Sequence, residues 1–370
     1  MKVTFPHMGN LHIPIRALLE DLGVEVVVPP LPTQRTIALG ALHSPEFACY
    51  PLKLNLGNFI EAYHLGADTI LMAGGVGPCR FGYYAQVQKQ ILDDLGYSFE
   101  MIVLEPPRGH LGGLWERIRR LTGNQPVTAV WKAIKFAWAK FVALDEIDRV
   151  AQKIRPREAR RGDTSRVYRR ALQWVDEADS MAAVKKARTR ALEALHSIEQ
   201  DRGREVLRAG IVGEVFMVLE PFANLEVERR LGEMGVEVTR SVFISDWIRA
   251  HLFLDALRLK GGRAVKEAAR SYLNHFVGGE GQESVGYAAL FAREGIDGVI
   301  QIAPLTCMPE IVAQSVLPQL SSDYQLPVMT LYLDEHSAEA GVLTRLEAFV
   351  DLLARRHRTK EGRPCGVIWG

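Results

Sequence analysis

Gly66-Ala67-Asp68-Thr69-Ile70-Leu71-Met72-Ala73-Gly74-Gly75-Val76-Gly77-Pro78-Cys79 reads as a helix stop, a short buried strand and a glycine-rich loop ending in a cysteine. Far along the chain, Gly295-Ile296-Asp297 leads through another apolar strand and loop to Cys307, with glycine-to-cysteine spacing that differs by one residue. A helical pattern follows each cysteine. Strand, loop and helix repeated in this order predict an α/β fold built on parallel sheets.

Working outward, Val3–Phe5 reads as a strand, and Ile15, Leu18, Leu19 and Leu22 mark a helix face that Gly23 stops before a strand over Glu25–Val28. Leu52, Leu56, Phe59, Ile60 and Tyr63 form a second helical stripe ending near Gly66. After Cys79 the spacing of Tyr84, Val87, Ile91 and Leu95 predicts a helix, and Met101–Leu104 a strand. From Gln125 to Arg208 the chain has few glycines, many Arg and Lys, and helical spacing throughout. There Trp131, Ile134, Trp138 and Phe141 share one helix face, expected to lie against the α/β domains or a second subunit. The α/β pattern resumes at Gly210. Asn10-Leu11 through Gly23-Val24-Glu25-Val26 is echoed by Asn224-Leu225 through Gly235-Val236-Glu237-Val238, two residues shorter. Two echoes in one order predict a duplication: a first α/β domain (1–124), a helical insertion or bridge (125–208) and a second α/β domain (209–370).

Composition sets limits. The chain has 370 residues, 48% of them hydrophobic, enough for two packed cores. With 45 Lys and Arg against 44 Asp and Glu, no global field favours nucleic acid or a membrane surface. Met1–His7 is too poor in apolar residues for a signal peptide, and no apolar run reaches the roughly 18 residues of a spanning helix. The expected location is the cytoplasm, where four cysteines serve as ligands, nucleophiles or buried fillers rather than disulfides.

Cys79 and Cys307 fall in loops beyond the carboxyl ends of strands, where open parallel sheets bind ligands. Cys49, in Phe47-Ala48-Cys49-Tyr50-Pro51, precedes another helix. Helix starts offer free amides and a partial positive charge, both of which favour thiolates. Three soft ligands suit an iron–sulfur cluster with one open iron. The place of Cys49 in the second repeat falls near Gly278, so duplication supplies three thiols rather than four. Buried fillers, a zinc site without Cys-x-x-Cys pairs and a single nucleophilic cysteine stand as alternatives.

Other residues flank these loops. Asp334, Glu335 and His336 follow a strand over Val328–Leu333, where His336 or Glu335 can supply a proton or the acidic residues can cap a helix. Glu310 reads as a helix cap. Arg80 reads as a counter-charge to a cluster, a contact for an anionic substrate or a surface ion pair, and His43, Ser44 and Glu46, close before Cys49, read as structural residues or as groups that approach the open iron. Cys365 sits outside the repeat, as a free thiol or a fourth ligand from the tail. The basic run from Arg155 to Arg170 reads first as a solvated face and second as a docking surface for an acidic partner.

His43-Ser44-Pro45-Glu46 through Cys49-Tyr50-Pro51-Leu52-Lys53, Gly74-Gly75-Val76-Gly77-Pro78-Cys79-Arg80-Phe81-Gly82 and Pro304-Leu305-Thr306-Cys307-Met308-Pro309-Glu310 together resemble the 2-hydroxyacyl-CoA dehydratase and benzoyl-CoA reductase subunit family. Leu333-Asp334-Glu335-His336-Ser337 to Gly341, with Thr344-Arg345-Leu346-Glu347-Ala348-Phe349, is similar to its stand-alone branch of acyl-CoA dehydratase activase-related proteins. The resemblance covers both α/β domains. It implies a 4Fe–4S cluster held by Cys49, Cys79 and Cys307 in a cleft between two Rossmann-like domains. It further implies a low-potential electron from a separate ATP-hydrolysing iron–sulfur activator protein. The substrate would be a small molecule, an acyl-CoA among the candidates, reduced or dehydrated at the open iron. No Gly-x-x-x-x-Gly-Lys-Ser/Thr loop occurs, so ATP hydrolysis belongs to the activator, and Gly74–Gly77 reads as close packing. Homo- or heterodimers and a non-catalytic electron carrier within a larger complex are the remaining expectations.

Overall fold

The computed structural model describes residues 1–75, 77–104, 111–123, 125–201, 203–249 and 262–360. The first part runs β1 (Lys2–Thr4), α1 (His12–Asp21), β2 (Glu25–Val26), α2 (Gln34–His43), α3 (Tyr50–His64), β3 (Thr69–Ala73), α4 (Tyr84–Asp94) and β4 (Glu100–Leu104). Its strands form one sheet in the order β2-β1-β3-β4, every neighbour parallel. Helices α5 (Leu111–Thr122), α6 (Val127–Ile154), α7 (Asp163–Asp176) and α8 (Met181–His196) follow. The last part runs β5 (Leu207–Gly213), α9 (Val215–Leu219), α10 (Val227–Glu233), β6 (Val236–Arg240), α11 (Ile244–Ile248) and α12 (Arg263–Ala269). It continues with α13 (Gly281–Arg293), β7 (Gly298–Pro304), α14 (Met308–Tyr324), β8 (Val328–Leu333) and α15 (Glu339–Lys360). The second sheet is β6-β5-β7-β8, again all parallel. The protein is therefore α/β, with two four-stranded parallel sheets of the same Rossmann-like order.

The repeat extends to single atoms. Gly66 after α3 and Gly295 after α13 both have left-handed backbones, with φ of 94° and 70°, which a side chain would strain. Beyond them, the amides of Ala67 and Ile296 donate to the carbonyls of Ala62 and Phe291, each at 3.0 Å. Asp68 then accepts the Lys2 amide at 2.8 Å, and Asp297 the Arg208 amide at 2.8 Å. Each carboxylate thereby ties the entry of one central strand to its parallel neighbour, which sets register at the amino edge of both sheets.

Apolar packing joins the parts. Ile37, Tyr50 and Leu54 from α2 and α3 share a core with Ile211, Ile300, Leu331 and Leu333 of the second sheet. Val130 and Ala133 of α6 pack with Val3 and Leu71 of the first sheet, while Ile13 of α1 enters the core of α6, α7 and α8. This cross-packing buries α3 on nearly all sides, including Lys53, Asn55 and Asn58.

Several expectations change. Strand β2 ends at Val26 rather than Val28, and β5 begins at Leu207, before Gly210. Helix α2 was not anticipated; Thr33 caps it, its hydroxyl accepting the Thr36 amide at 3.3 Å. Trp131 is exposed, because α6 buries Val130, Ala133, Ala137, Leu144 and Ile147 on the adjoining face. The basic run is divided. Arg155 is buried near Glu228 and half-buried Arg157 meets Glu237 at 2.5 Å, whereas Arg160, Arg161, Arg166, Arg169 and Arg170 are exposed as a solvated face, Arg161 while meeting Glu233 at 2.7 Å. Cys365 lies outside the described residues.

Candidate functional site

Two cysteines occupy the same local geometry. Cys49 is the N-cap of α3 and Cys307 the N-cap of α14, each followed after one residue by proline. Proline in the first turn loses no intrahelical hydrogen bond and starts the helix with its φ already set. Cys79 ends the β3 loop and opens the 3-10 turn Arg80–Tyr83 that feeds α4. All three are free thiols; Cys49 and Cys307 are buried and Cys79 half-buried. In a parallel sheet the helix starts and strand ends lie at one edge, so topology puts each sulfur at the carboxyl edge of its sheet.

Arg80 links the three loops. Its guanidinium donates to the carbonyl of Phe47 at 2.7 Å, two residues before Cys49, and to the carbonyl (2.5 Å) and hydroxyl (3.0 Å) of Thr306, directly before Cys307. The Thr306 hydroxyl also donates to the Phe47 carbonyl at 3.2 Å. A planar five-donor guanidinium suits this bridging role. Arg80 is thus a tie between the halves rather than a surface ion pair, and its positive charge favours the ionised Cys49 sulfur, in keeping with the counter-charge role.

The sulfurs sense one another. Burial pushes all three thiols above their ordinary value, and a charge on Cys49 raises Cys79 and Cys307 further. Against this, the amides of Leu52, Phe81 and Glu310 favour the ionised sulfurs of Cys49, Cys79 and Cys307 in turn. The Tyr84 hydroxyl also bonds the Cys49 sulfur.

Three carboxyls surround these loops, all from the second half. Glu214, Glu280 and Glu310 are pushed up to about 7, 8 and 7, burial being the leading cause in each. Glu310 is fully buried; it accepts from Ser284 at 3.0 Å and Gln301 at 2.7 Å, which replaces the expected capping role. Glu280 accepts from the Trp247 indole at 3.1 Å, and Glu214 caps α9 through the amides of Phe216 and Met217. Carboxyls raised this far are part-ionised near neutral pH, and the charge Glu214 keeps raises all three thiols further.

Glu335 and His336 line a cavity of about 80 Å³ with Glu46, Tyr50, Lys53, Leu305 and Asp334. The Glu335 carboxylate pairs with the buried Lys53 ammonium, which also donates to the Glu46 carbonyl at 3.1 Å. His336 is exposed, its amide donating to Asp334 at 3.1 Å. The cavity adjoins the neighbours of Cys49 and Cys307, not their sulfurs. His43 ends α2, and the Ser44 hydroxyl is buried without a partner among the described residues.

Among the described residues, no group of three or more Cys, His, Asp or Glu side chains stands ready to hold a metal ion. The donor chemistry nonetheless fits an anionic thiolate-bound cluster: three soft sulfurs, each with an amide that favours its ionised form. Neither protein-family models nor curated proteins give a match to this chain. Lys53, Tyr84, Glu214 and Glu280 went unnoticed as site residues because burial, not spacing, sets them apart. The one legible signal was Lys53, a lysine inside an otherwise apolar helical stripe. No described helix is long and apolar enough to cross a membrane.

Proposed function

We propose that this chain is a 4Fe–4S protein in which Cys49, Cys79 and Cys307 hold the cluster between the two sheets. When bound, such a cluster supplies a low-potential electron and an iron open to a small-molecule ligand. The observation that carries the reading is the bridge made by Arg80, which ties the loops of all three cysteines together. The surrounding amides favour the thiolates, and burial raises Glu214, Glu280 and Glu310 to about 7, 8 and 7 beside them.

Substrate binding falls to the cavity at Tyr50 and Lys53. Its volume of about 80 Å³ is well below the ~300–1,000 Å³ of pockets for drug-sized ligands, which favours a small molecule over the body of an acyl-CoA. Lys53 and Glu335 fix its polar wall, and exposed His336 lines its solvent side. The electron comes from an ATP-hydrolysing activator protein. Exposed Phe47, Tyr83, Phe276, Leu305, Met308 and Ile311 flank the cysteine loops and offer it an apolar docking rim.

The test is iron and sulfide quantitation on anaerobically purified protein. Iron and sulfide are expected in the wild type and lost in Cys49→Ala, Cys79→Ala and Cys307→Ala individually. Retention of the full complement in any one variant, or zinc in place of iron, removes the reading.

A further inference from the structure

Cys49 differs from the other two cysteines in one contact. The Tyr84 hydroxyl bonds its sulfur, whereas no side-chain donor reaches Cys79 or Cys307 among the described residues. Tyr84 opens α4, is 5% exposed and lies in the same core as Cys49, Leu52 and Leu56. Its ring meets Phe81 edge-on at 5.2 Å, which holds the hydroxyl in place. A cluster-bound sulfur carries no proton, so in this contact the phenol O–H is the donor.

We propose that Tyr84 is a positioning residue that sets the reduction potential of the redox centre Cys49 helps to hold. The inference rests on the iron–sulfur reading above. A donor to a ligating sulfur stabilises the state with more negative charge, which is the reduced one, and so raises the potential. A net hydrogen-bond contribution of roughly 1–1.5 kcal/mol corresponds to about tenfold in an equilibrium constant. For one electron that is about 59 mV.

The experiment is an anaerobic redox titration followed by EPR on wild type and Tyr84→Phe, with iron and sulfide measured on each sample. Tyr84→Phe keeps the ring and its packing; iron content is expected to persist while the potential falls by about tenfold in the reduction equilibrium. Site-specific replacement of Tyr84 by 3-fluorotyrosine strengthens the donor and is expected to shift the potential the opposite way. Leu92→Val disturbs the same core about two turns further along α4, away from the sulfur, and its potential should match wild type. An unchanged potential in iron-loaded Tyr84→Phe overturns the proposal, as does an equal fall in Leu92→Val. If Tyr84→Phe loses its iron, the fluorotyrosine shift decides: upward sustains the role and no shift ends it. A wild type without iron instead defeats the parent reading, and this one with it.

Discussion

The two sheets share one plan and part ways where they touch. Gly57, Gly66 and Asp68 keep the same spacing as Gly286, Gly295 and Asp297, and on that register Cys49 corresponds to Gly278. The first half has a thiol at the start of α3; the second has a glycine before α13. A Cβ at Gly278 would lie 2.8 Å from the Cys79 amide nitrogen, and its φ of 94° is already left-handed. The loop of one half therefore fills the space where the other half's side chain would stand. The strands differ in the same spirit. Pro6 follows β1, which lacks the length of β5, because proline has no N–H for a ladder. The chain turns there to bury His7 against Glu220 of the second half at 2.8 Å. At Gly278, contact with the Cys79 loop leaves no room for a fourth side chain matching Cys49.

The sharpest way to break this comparison is to restore the missing side chain. Gly278→Ala combines left-handed strain with a backbone clash and is expected to cost about 2–4 kcal/mol in chemical denaturation. Gly278→Cys should lose at least as much. A fully stable Gly278→Cys protein with additional bound iron would show that space does not set the asymmetry.

The next contrast concerns charge, since Glu310 has no acidic counterpart at the matching place after Cys79. Below pH 4.5 its carboxyl is protonated in both folded and unfolded states; between 4.5 and about 7 only the unfolded chain releases the proton. Stability should thus fall as pH rises through that window, by on the order of 3 kcal/mol. Glu310→Gln is expected to flatten the fall in denaturation midpoints measured from pH 4.5 to 8. An unchanged slope would mean that this carboxyl ionises freely in the folded protein.

The smallest effect sharpens the likeness between the halves. Asp297 is 16% exposed and Asp68 54%, yet both hold a strand amide. Asp297→Ala should cost about 1–2 kcal/mol and Asp68→Ala about 0.5–1, since water replaces the exposed bond more easily. Equal losses would imply that exposure does not grade the two ties.

Glycine stops, apolar strand runs and helix spacing were legible because they act between residues a few positions apart. The α/β class, the repeat around Gly66 and Gly295, and cysteines at strand-to-helix junctions all follow from such local rules. Trp131 and Glu310 show where those rules end: helix periodicity cannot tell which neighbouring face meets another core, and a carboxyl three residues into a helix reads as a cap until burial is known. The tie made by Arg80, the pair of Lys53 with Glu335 and the bond from Tyr84 to Cys49 join residues that local spacing does not connect. The chain by itself determined the elements and the kinds of donor at their ends. Only the tertiary structure decided which of them meet, because long-range contacts depend on how the two sheets pack rather than on any spacing along the chain.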